Sequence, residues 1–422
     1  MQTSCATDRR PEKMAVEIRP VETKKELKEF IYLPRKIYAG VPQWVPPFYD
    51  EERKYYDPRK NPAFASAEAK CFLAYSDGVL VGRIMGIVSH KMNDRWATKN
   101  AHFCLLESPD DLEVARGLLG AVEDWAKAAG METITGPHGF SDQDPEGMLV
   151  AGFEHRATIA TYYNFPYLPG LVERCGFAKD YDYRVFWIKI PDEAPAVYLK
   201  IMERLERQGF VLVEFETKKE LKAHLDNFVV IINDTFEQIY GYAHMTPEEG
   251  RALIDSYLPI IDPHFMKYIY RVPREEIGRP VDPKTDEVVG FIVGMPDITE
   301  GIQKAKGNVL PFGIFKILKA RNTTRQLDLF YAGVREKYRN LGLTTMFAVG
   351  LIRDAKARGL EYIDAHQELE FNSKVHEEWG RFEHREWKRL RIFVKELVPG
   401  GLKRDQANTE EAVPRHMMPG GE

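Results

Sequence analysis

What most constrains this chain is that it repeats itself. The heptapeptide Glu22, Thr23, Lys24, Lys25, Glu26, Leu27, Lys28 returns unchanged as Glu216, Thr217, Lys218, Lys219, Glu220, Leu221, Lys222. Next, Val81, Gly82, Arg83, Ile84 are matched by Val289, Gly290, Phe291, Ile292, each set after a turn, Ser76, Asp77, Gly78 in one case and residues 283–286 in the other. A third pair sets Ala126, Lys127, Ala128, Ala129, Gly130, Met131, Glu132 against Ala355, Lys356, Ala357, Arg358, Gly359, Leu360, Glu361, helix ends that stop at glycine and enter a strand. The last pair is Arg184, Val185, Phe186 with Arg391, Ile392, Phe393. One match alone is a shared helix start. Four in the same order, joined by insertions the size of single elements, mark a duplicated domain.

Each copy is expected to run strand, helix, hairpin, strand, long helix, strand, helix, strand, one copy over 15–195 and the other over 205–396. The fold class is therefore mixed α/β, in tandem. A length of 422 residues agrees, since single domains hold roughly 100–200. The long helices show core periodicity, at Ala115, Leu118, Leu119, Val122, Trp125, Ala126, Ala129 and at Leu343, Phe347, Gly350, Leu351, Ala355. Packing accounts for those faces, so binding chemistry has to sit in the strand-to-helix loops, where the first helical amides lack partners.

A net charge of −5 provides no global field to draw nucleic acid, so no nucleic-acid partner is expected and an anionic ligand needs a local site. Cys5, Cys71, Cys104 and Cys175 have neither metal-ligand nor disulfide spacing; a reducing cytoplasm and no metal are expected. Residues 1–14 are polar and read as a disordered N-terminus, and 397–422 read as a disordered tail. No run of about 18 apolar residues occurs, so no membrane span is expected.

After an apolar strand over 327–332, the second copy carries Val334, Arg335, Glu336, Lys337, Tyr338, Arg339, Asn340, Leu341, Gly342, Leu343, Thr344. This loop resembles the acyl-CoA loop of the GNAT superfamily, which reads Arg or Gln, two residues, Gly, one residue, Gly or Ala. Arg339 and Gly342 match, and Thr344 replaces the last small residue. The resemblance implies tandem GNAT-like N-acyltransferase domains. The cofactor, acetyl-CoA or a longer acyl-CoA, would be held by Val334, Arg335, Arg339, Asn340, Leu341, Gly342, Leu343 and Thr344. Backbone amides and the helix dipole would face its pyrophosphate. The matching stretch of the first copy, Leu105, Leu106, Glu107, Ser108, Pro109, Asp110, Asp111, Leu112, puts acids there, so that copy is expected to have lost CoA binding.

The same resemblance points to Glu370 and Asn372, after the strand at 362–365, as catalytic residues, Glu370 as the base. Many relatives carry a tyrosine acid seven residues after the asparagine; this chain has Trp379 there, and Glu383 replaces an expected glycine. Tyr240, Tyr242 and His244, before a capping-box helix start at Thr246, Pro247, Glu248, Glu249, are candidates to line the acceptor pocket, with ordinary packing as the other reading. Segment 309–319 is apolar and edged by Lys304, Lys306, Arg321 and Arg325, which suits peripheral membrane contact, a lipid-tail tunnel or an interdomain clamp.

Segment order along nearly the whole chain is similar to a two-domain bacterial group that includes ceramide-synthase-like N-acyltransferases, with shared-looking stretches at 37–47, 61–64, 136–140 and 388–395. Three functions follow: acyl transfer to a small-molecule amine, long-chain transfer to a lipid amine, or a non-catalytic CoA-binding regulator or scaffold. The sequence leaves the oligomeric state open.

Overall fold

Both copies of the repeated heptapeptide start a helix, and for the same reason. Thr23 and Thr217 accept from the amide three residues on, while Glu26 and Glu220 reach back to the cap amide, closing two capping boxes. These come from a computed structural model, which describes residues 15–141, 143–237 and 242–402. Residues 1–14, Tyr240 and the tail beyond 402 lie outside the described residues.

The first unit begins with β1 (Val16–Pro20), α1 (Lys24–Ile37), α2 (Tyr49–Tyr55), β2 (Ala67–Ser76), β3 (Val79–Ser89) and α3 (His90–Trp96). It continues through β4 (Asn100–Glu107), α4 (Leu112–Ala128), β5 (Thr133–Gly136), β6 (Met148–Ala151), α5 (Leu168–Arg174) and β7 (Ala178–Lys189). The second unit opens with α6 (Ala196–Glu206), β8 (Phe210–Val213), α7 (Lys218–Lys222), α8 (Asp226–Phe236) and α9 (Pro247–Tyr257). Then come β9 (Met266–Arg271), β10 (Glu287–Pro296), α10 (Thr299–Ala305), α11 (Gly313–Thr323), β11 (Gln326–Val334) and α12 (Leu343–Ala357). It ends with β12 (Tyr362–Asp364), β13 (Glu368–Leu369), α13 (Ser373–Trp379) and β14 (His384–Glu396).

Asp77 and Gly78, both at positive φ, make the tight turn between β2 and β3. The repeated glycines sit at equivalent close approaches. A Cβ on Gly82 would lie 2.7 Å from the Glu107 carbonyl oxygen, and one on Gly290 would lie 3.1 Å from that of Gly333.

The sequence reading ends each copy on a strand, and the structure shows where those strands go. Among the described residues there is one fourteen-stranded sheet, twelve of its strands ordered β1, β2, β3, β4, β5, β14, β7, β12, β11, β10, β9, β8, with β6 also pairing β14 and β13 also pairing β7. Under the duplication this order reads the same from either edge. β14, the last strand of the second unit, lies beside β5 of the first, and β7 lies beside β12 of the second. The units have exchanged their final strands.

Packing follows the exchange. Phe393 on β14 is wholly buried in the first unit's core with Phe103, Ile134 and Leu118. Phe186 and Ile188 on β7 pack with Ile363, Trp379 and Phe382 of the second unit. The repeated arginines also reach across: Arg184 Nε donates to Glu386 at 2.7 Å, and Arg391 holds Asp182 through two bonds of 2.8 and 3.1 Å. Beyond β14, the chain stays attached to the first unit, because the Leu397 amide donates to the Glu132 carbonyl at 2.9 Å. The tail that the sequence reading starts at residue 397 is thus still bonded there.

One more feature is duplicated. The parallel pair β4 and β5 is in register for three positions only, Asn100 to His102 against Thr133 to Thr135. The pair β11 and β12 is in register for three, Gln326 to Asp328 against Tyr362 to Asp364. In each unit the longer strand runs on without its parallel partner, which leaves a gap on that side of it.

Candidate active site

The two gaps are filled differently. In the first, the His138 amide donates to the Phe103 carbonyl at 2.9 Å, Tyr38 donates to Glu107 at 2.5 Å, and Tyr167 donates to the Ser108 carbonyl at 2.9 Å. Every residue of β4 is buried. In the second, β11 is half-buried or exposed from Phe330 to Val334, and no strand pairs with its β12 side beyond Asp328 among the described residues. An unpaired strand edge facing a gap is a ready partner for amides of an extended ligand.

The loop after β11 leads into that gap. Asn340 and Gly342 take positive φ of 66° and 92°, and Gly342 caps α12 without a side-chain bond. Among the described residues, the amides of Asn340, Leu341, Gly342, Leu343 and Thr344 have no hydrogen bond, whereas those of Arg335, Tyr338, Arg339 and Thr345 are bonded within the protein. Five neighbouring donors at the start of a fifteen-residue helix favour an anion.

The loop's side chains divide. Arg335 is committed to Asp234 at 2.7 Å and Glu287 at 3.0 Å. Arg339 is exposed, with Nε 3.3 Å from the Val334 carbonyl. Arg204 of α6 donates to the Leu341 carbonyl at 2.8 Å, which brings a second guanidinium to the loop. Leu341 is exposed, and the Thr344 hydroxyl lies 3.4 Å from Glu378.

Inside the gap, β11 bulges. Gly294 faces Leu329 and Val293 faces Tyr331, so Phe330 is the extra residue. The bulge turns Phe330 and Tyr331 to the same side, where both line an apolar groove that is partly open to solvent. Its other walls are Leu221 and Leu225, Phe228 of α8, Leu253 to Leu258 along α9, Met266 and Val293, with Gln143 and Ala160 contributed by the first unit.

The Phe330 ring meets His366 edge-on, with centroids 5.7 Å apart. His366 follows β12 in a left-handed conformation, φ 58°, held by a 3.0 Å bond from its amide to Asp364. Burial pushes its imidazole down to about 4, so the ring is neutral at physiological pH.

Behind it lies a buried charge cluster. Asp364 pairs with Lys388 at 2.7 Å, both almost wholly buried, and Asp297 pairs with Arg156 at 2.8 Å. Asp328 lies beside Asp364, and burial together with Asp297 and Asp364 pushes its carboxyl well above the usual range. A protonated Asp328 leaves two carboxylates against two cations, which closes the local charge.

Other sequence candidates sit elsewhere. Glu370 accepts from Lys179 at 2.8 Å and from the Asp182 amide at 2.9 Å, binding it to β7. Asn372 precedes α13 and makes no side-chain cap bond. Tyr242 is wholly buried under α8, its hydroxyl bonded to Asn233, and His244 is exposed, 3.6 Å from Glu237. Neither of these two lines the groove.

A further acid of this region is Glu368. It accepts from the Trp379 indole N–H at 2.6 Å, and burial pushes it up to about 8. Trp379 thus engages an acid where the family pattern expects a tyrosine. For a carboxyl with a raised folded pKa, the native state keeps its proton while the unfolded chain releases it. Its stabilisation is full below about 4.5 and is lost as pH rises toward 8. Glu368→Gln is expected to remove that decline, so chemical unfolding from pH 4 to 8 should give a flatter stability curve than the parent; an equally steep curve would refute the assignment.

His366 was missed because no spacing rule marks a histidine just beyond a strand end. The signal in the sequence was its position 24 residues after Gly342, but only the bulge at Phe330 gives that position meaning.

Fold and site together define a mixed α/β protein of two tandem units of like strand order, one gap closed and one open. No family model matches the chain. It is similar to protein YghO of Escherichia coli (strain K12), 26% identical over 388 residues, which span 90% of this chain and 95% of that one. It is also similar to a protein named bacterial ceramide synthase from Caulobacter vibrioides (strain NA1000 / CB15N), 29% identical over 300 residues, 71% of this chain and 74% of that one. The second relative bears the name of the two-domain group that the sequence resembles, and the resemblance to that group holds. Among solved structures, a tandem GNAT protein from the clavulanic acid biosynthesis pathway matches 92% of this chain and 100% of its own with a TM-score of 0.49 and 13% identity.

Proposed function

We propose that the protein is an N-acyltransferase in which the second unit binds an acyl-CoA, its pyrophosphate on the amides of residues 340–344, with Arg339 and Arg204 nearby. The pantetheine arm carries amides that suit the open edge of β11, and the thioester would reach the Phe330 bulge. A long apolar acyl chain then fits the groove that begins there, which favours a long-chain donor over acetyl-CoA.

The single observation that carries this reading is the succession of three features along β11: an apolar groove at its bulge, an open strand edge after it and unpaired loop amides beyond its end. The acceptor amine attacks the thioester carbonyl, a C–N bond forms, the C–S bond breaks, and the thiol leaves with a proton. As the C–N bond forms, the nitrogen becomes far more acidic; neutral His366 accepts its proton and returns it to the departing sulfur, so the histidine ends neutral. A lipid amine suits the apolar surroundings, and such an acceptor would be met at a membrane surface, reached through 309–319.

Thermal unfolding with acetyl-, octanoyl- and palmitoyl-CoA tests the reading. A ligand at 100 times its Kd stabilises by about 2.7 kcal/mol, and the shift is expected to grow with chain length. Gly342→Ala is expected to lose the shift at the same ligand concentrations. The substitution forces a side chain into a left-handed position, costing about 1–2 kcal/mol by itself, and sets a Cβ 3.1 Å from Ile201. Shifts that ignore both chain length and Gly342 would sink the proposal.

A second reading, a CoA-binding regulator without turnover, is favoured by the engagement of Trp379 with Glu368. A thermal shift with no thiol release across a panel of amines would select it.

A further inference from the structure

We infer that the α10–α11 hairpin is a docking finger for an anionic lipid bilayer. Large apolar side chains are ordinarily exposed singly. Here Leu310, Phe312 and Phe315 are 71%, 73% and 68% exposed within six consecutive residues, at the turn between the helices and the first turn of α11.

The patch is presented rigidly. A Cβ on Gly301 would lie 2.5 Å from the Ile317 backbone, so the two helices touch closely. On the α10 side of its turn the hairpin is clasped by the first unit: Gln303 donates to the carbonyls of Pro42 at 2.8 Å and Trp44 at 2.7 Å, and the Tyr49 amide donates to the Gly307 carbonyl at 3.1 Å. The clamp and the exposed apolar segment expected from the sequence are therefore two sides of one turn. The tip stays bare.

Charge identifies the occupant. Lys306, Lys316 and Lys319 are exposed on the turn and on α11, Arg325 beyond the far end of α11 pairs with Glu361 at 3.0 Å, and no acid occurs from residue 303 to 326. The acid just before, Glu300, pairs with Lys304. Exposed apolar side chains beside lysines on one hairpin match the acyl boundary and the anionic headgroups of a bilayer at once. Val309 and Ile314, on the inner side of the hairpin, pack in one cluster with Tyr257 and Phe330, which also line the groove. A finger seated in lipid would thus hold the groove beside the apolar phase from which a lipid amine comes. This last step rests on the acyl-transfer reading; the docking itself does not.

Flotation with phosphatidylcholine vesicles containing about 30% phosphatidylglycerol, against phosphatidylcholine alone, tests the proposal without any acyl donor. The protein is expected to float with the anionic vesicles and to be released by salt. The combined variant Leu310→Ser, Phe312→Ser, Phe315→Ser is expected to bind at least about tenfold more weakly. Its cooperative thermal unfolding without ligand should match the parent's, which shows that it folds. Equal flotation of parent and variant, or none by the parent, would overturn the docking proposal and leave the acyl-transfer reading standing. A parent that sediments as a dimer, becomes monomeric in the variant and ignores vesicles would assign the patch to a second copy of the chain and also overturn it.

Discussion

His366→Ala is expected to lower kcat for acyl transfer by roughly 10²–10⁴-fold while leaving the thermal shift with palmitoyl-CoA unchanged. The expectation follows from its place, with the ring against Phe330 at the bulge and no part in the loop that faces the pyrophosphate. The pH profile carries a second signature. A histidine with its folded pKa depressed to about 4 stays neutral at all higher pH, so the acid limb of kcat should fall near 4, well below the usual histidine value of about 6.5. The same depression stabilises the fold above about 6.5, a contribution lost as pH falls toward 4, so the alanine variant should unfold less readily in acid. A variant with parental kcat would remove His366 from the mechanism.

Separating the chain between Glu193 and Ala194 is expected to leave no folded monomer of either half. The first half would lose β14, and with it Leu390, Ile392, Phe393 and Val394, each almost wholly buried. At about 1.5–3 kcal/mol for each large apolar side chain, that loss approaches the whole stability of a typical domain, about 5–15 kcal/mol. It would also bare the edge of β5. Coexpression of the halves should restore a one-to-one complex with the parent's cooperative unfolding. Alone, the first half should aggregate or pair with a second copy through its own β7. A monomeric first half with a cooperative transition would contradict the exchange.

The helix starts were legible because caps act over three or four residues. The Thr and Glu of the repeated heptapeptide, and the Thr246 start, each form the capping box their spacing implies. Turn chemistry was equally local at Asp77 and Gly78. The long helices α4 and α12 bury most of the apolar positions that their periodicity picks out, including Leu118, Leu119, Val122, Phe347 and Leu351.

Other features were out of reach for reasons of distance. A strand that pairs within its own unit and one that crosses to the other carry the same alternation, so the exchange of β7 and β14 leaves no local mark. Glu370 looked like a free acid because Lys179 and the Asp182 amide lie far away in sequence. His366 and Glu368 acquire their shifted pKa values only from burial against remote elements.

By itself the amino-acid sequence determined the duplication, the α/β class, the helix caps and the loop at 334–344, because each depends on neighbours within a few residues or on a comparison of the chain with itself. The tertiary structure alone decided which gap in the sheet stays open, which histidine stands in it and where the apolar groove begins. Those outcomes depend on contacts between residues tens to hundreds of positions apart, which no local pattern encodes.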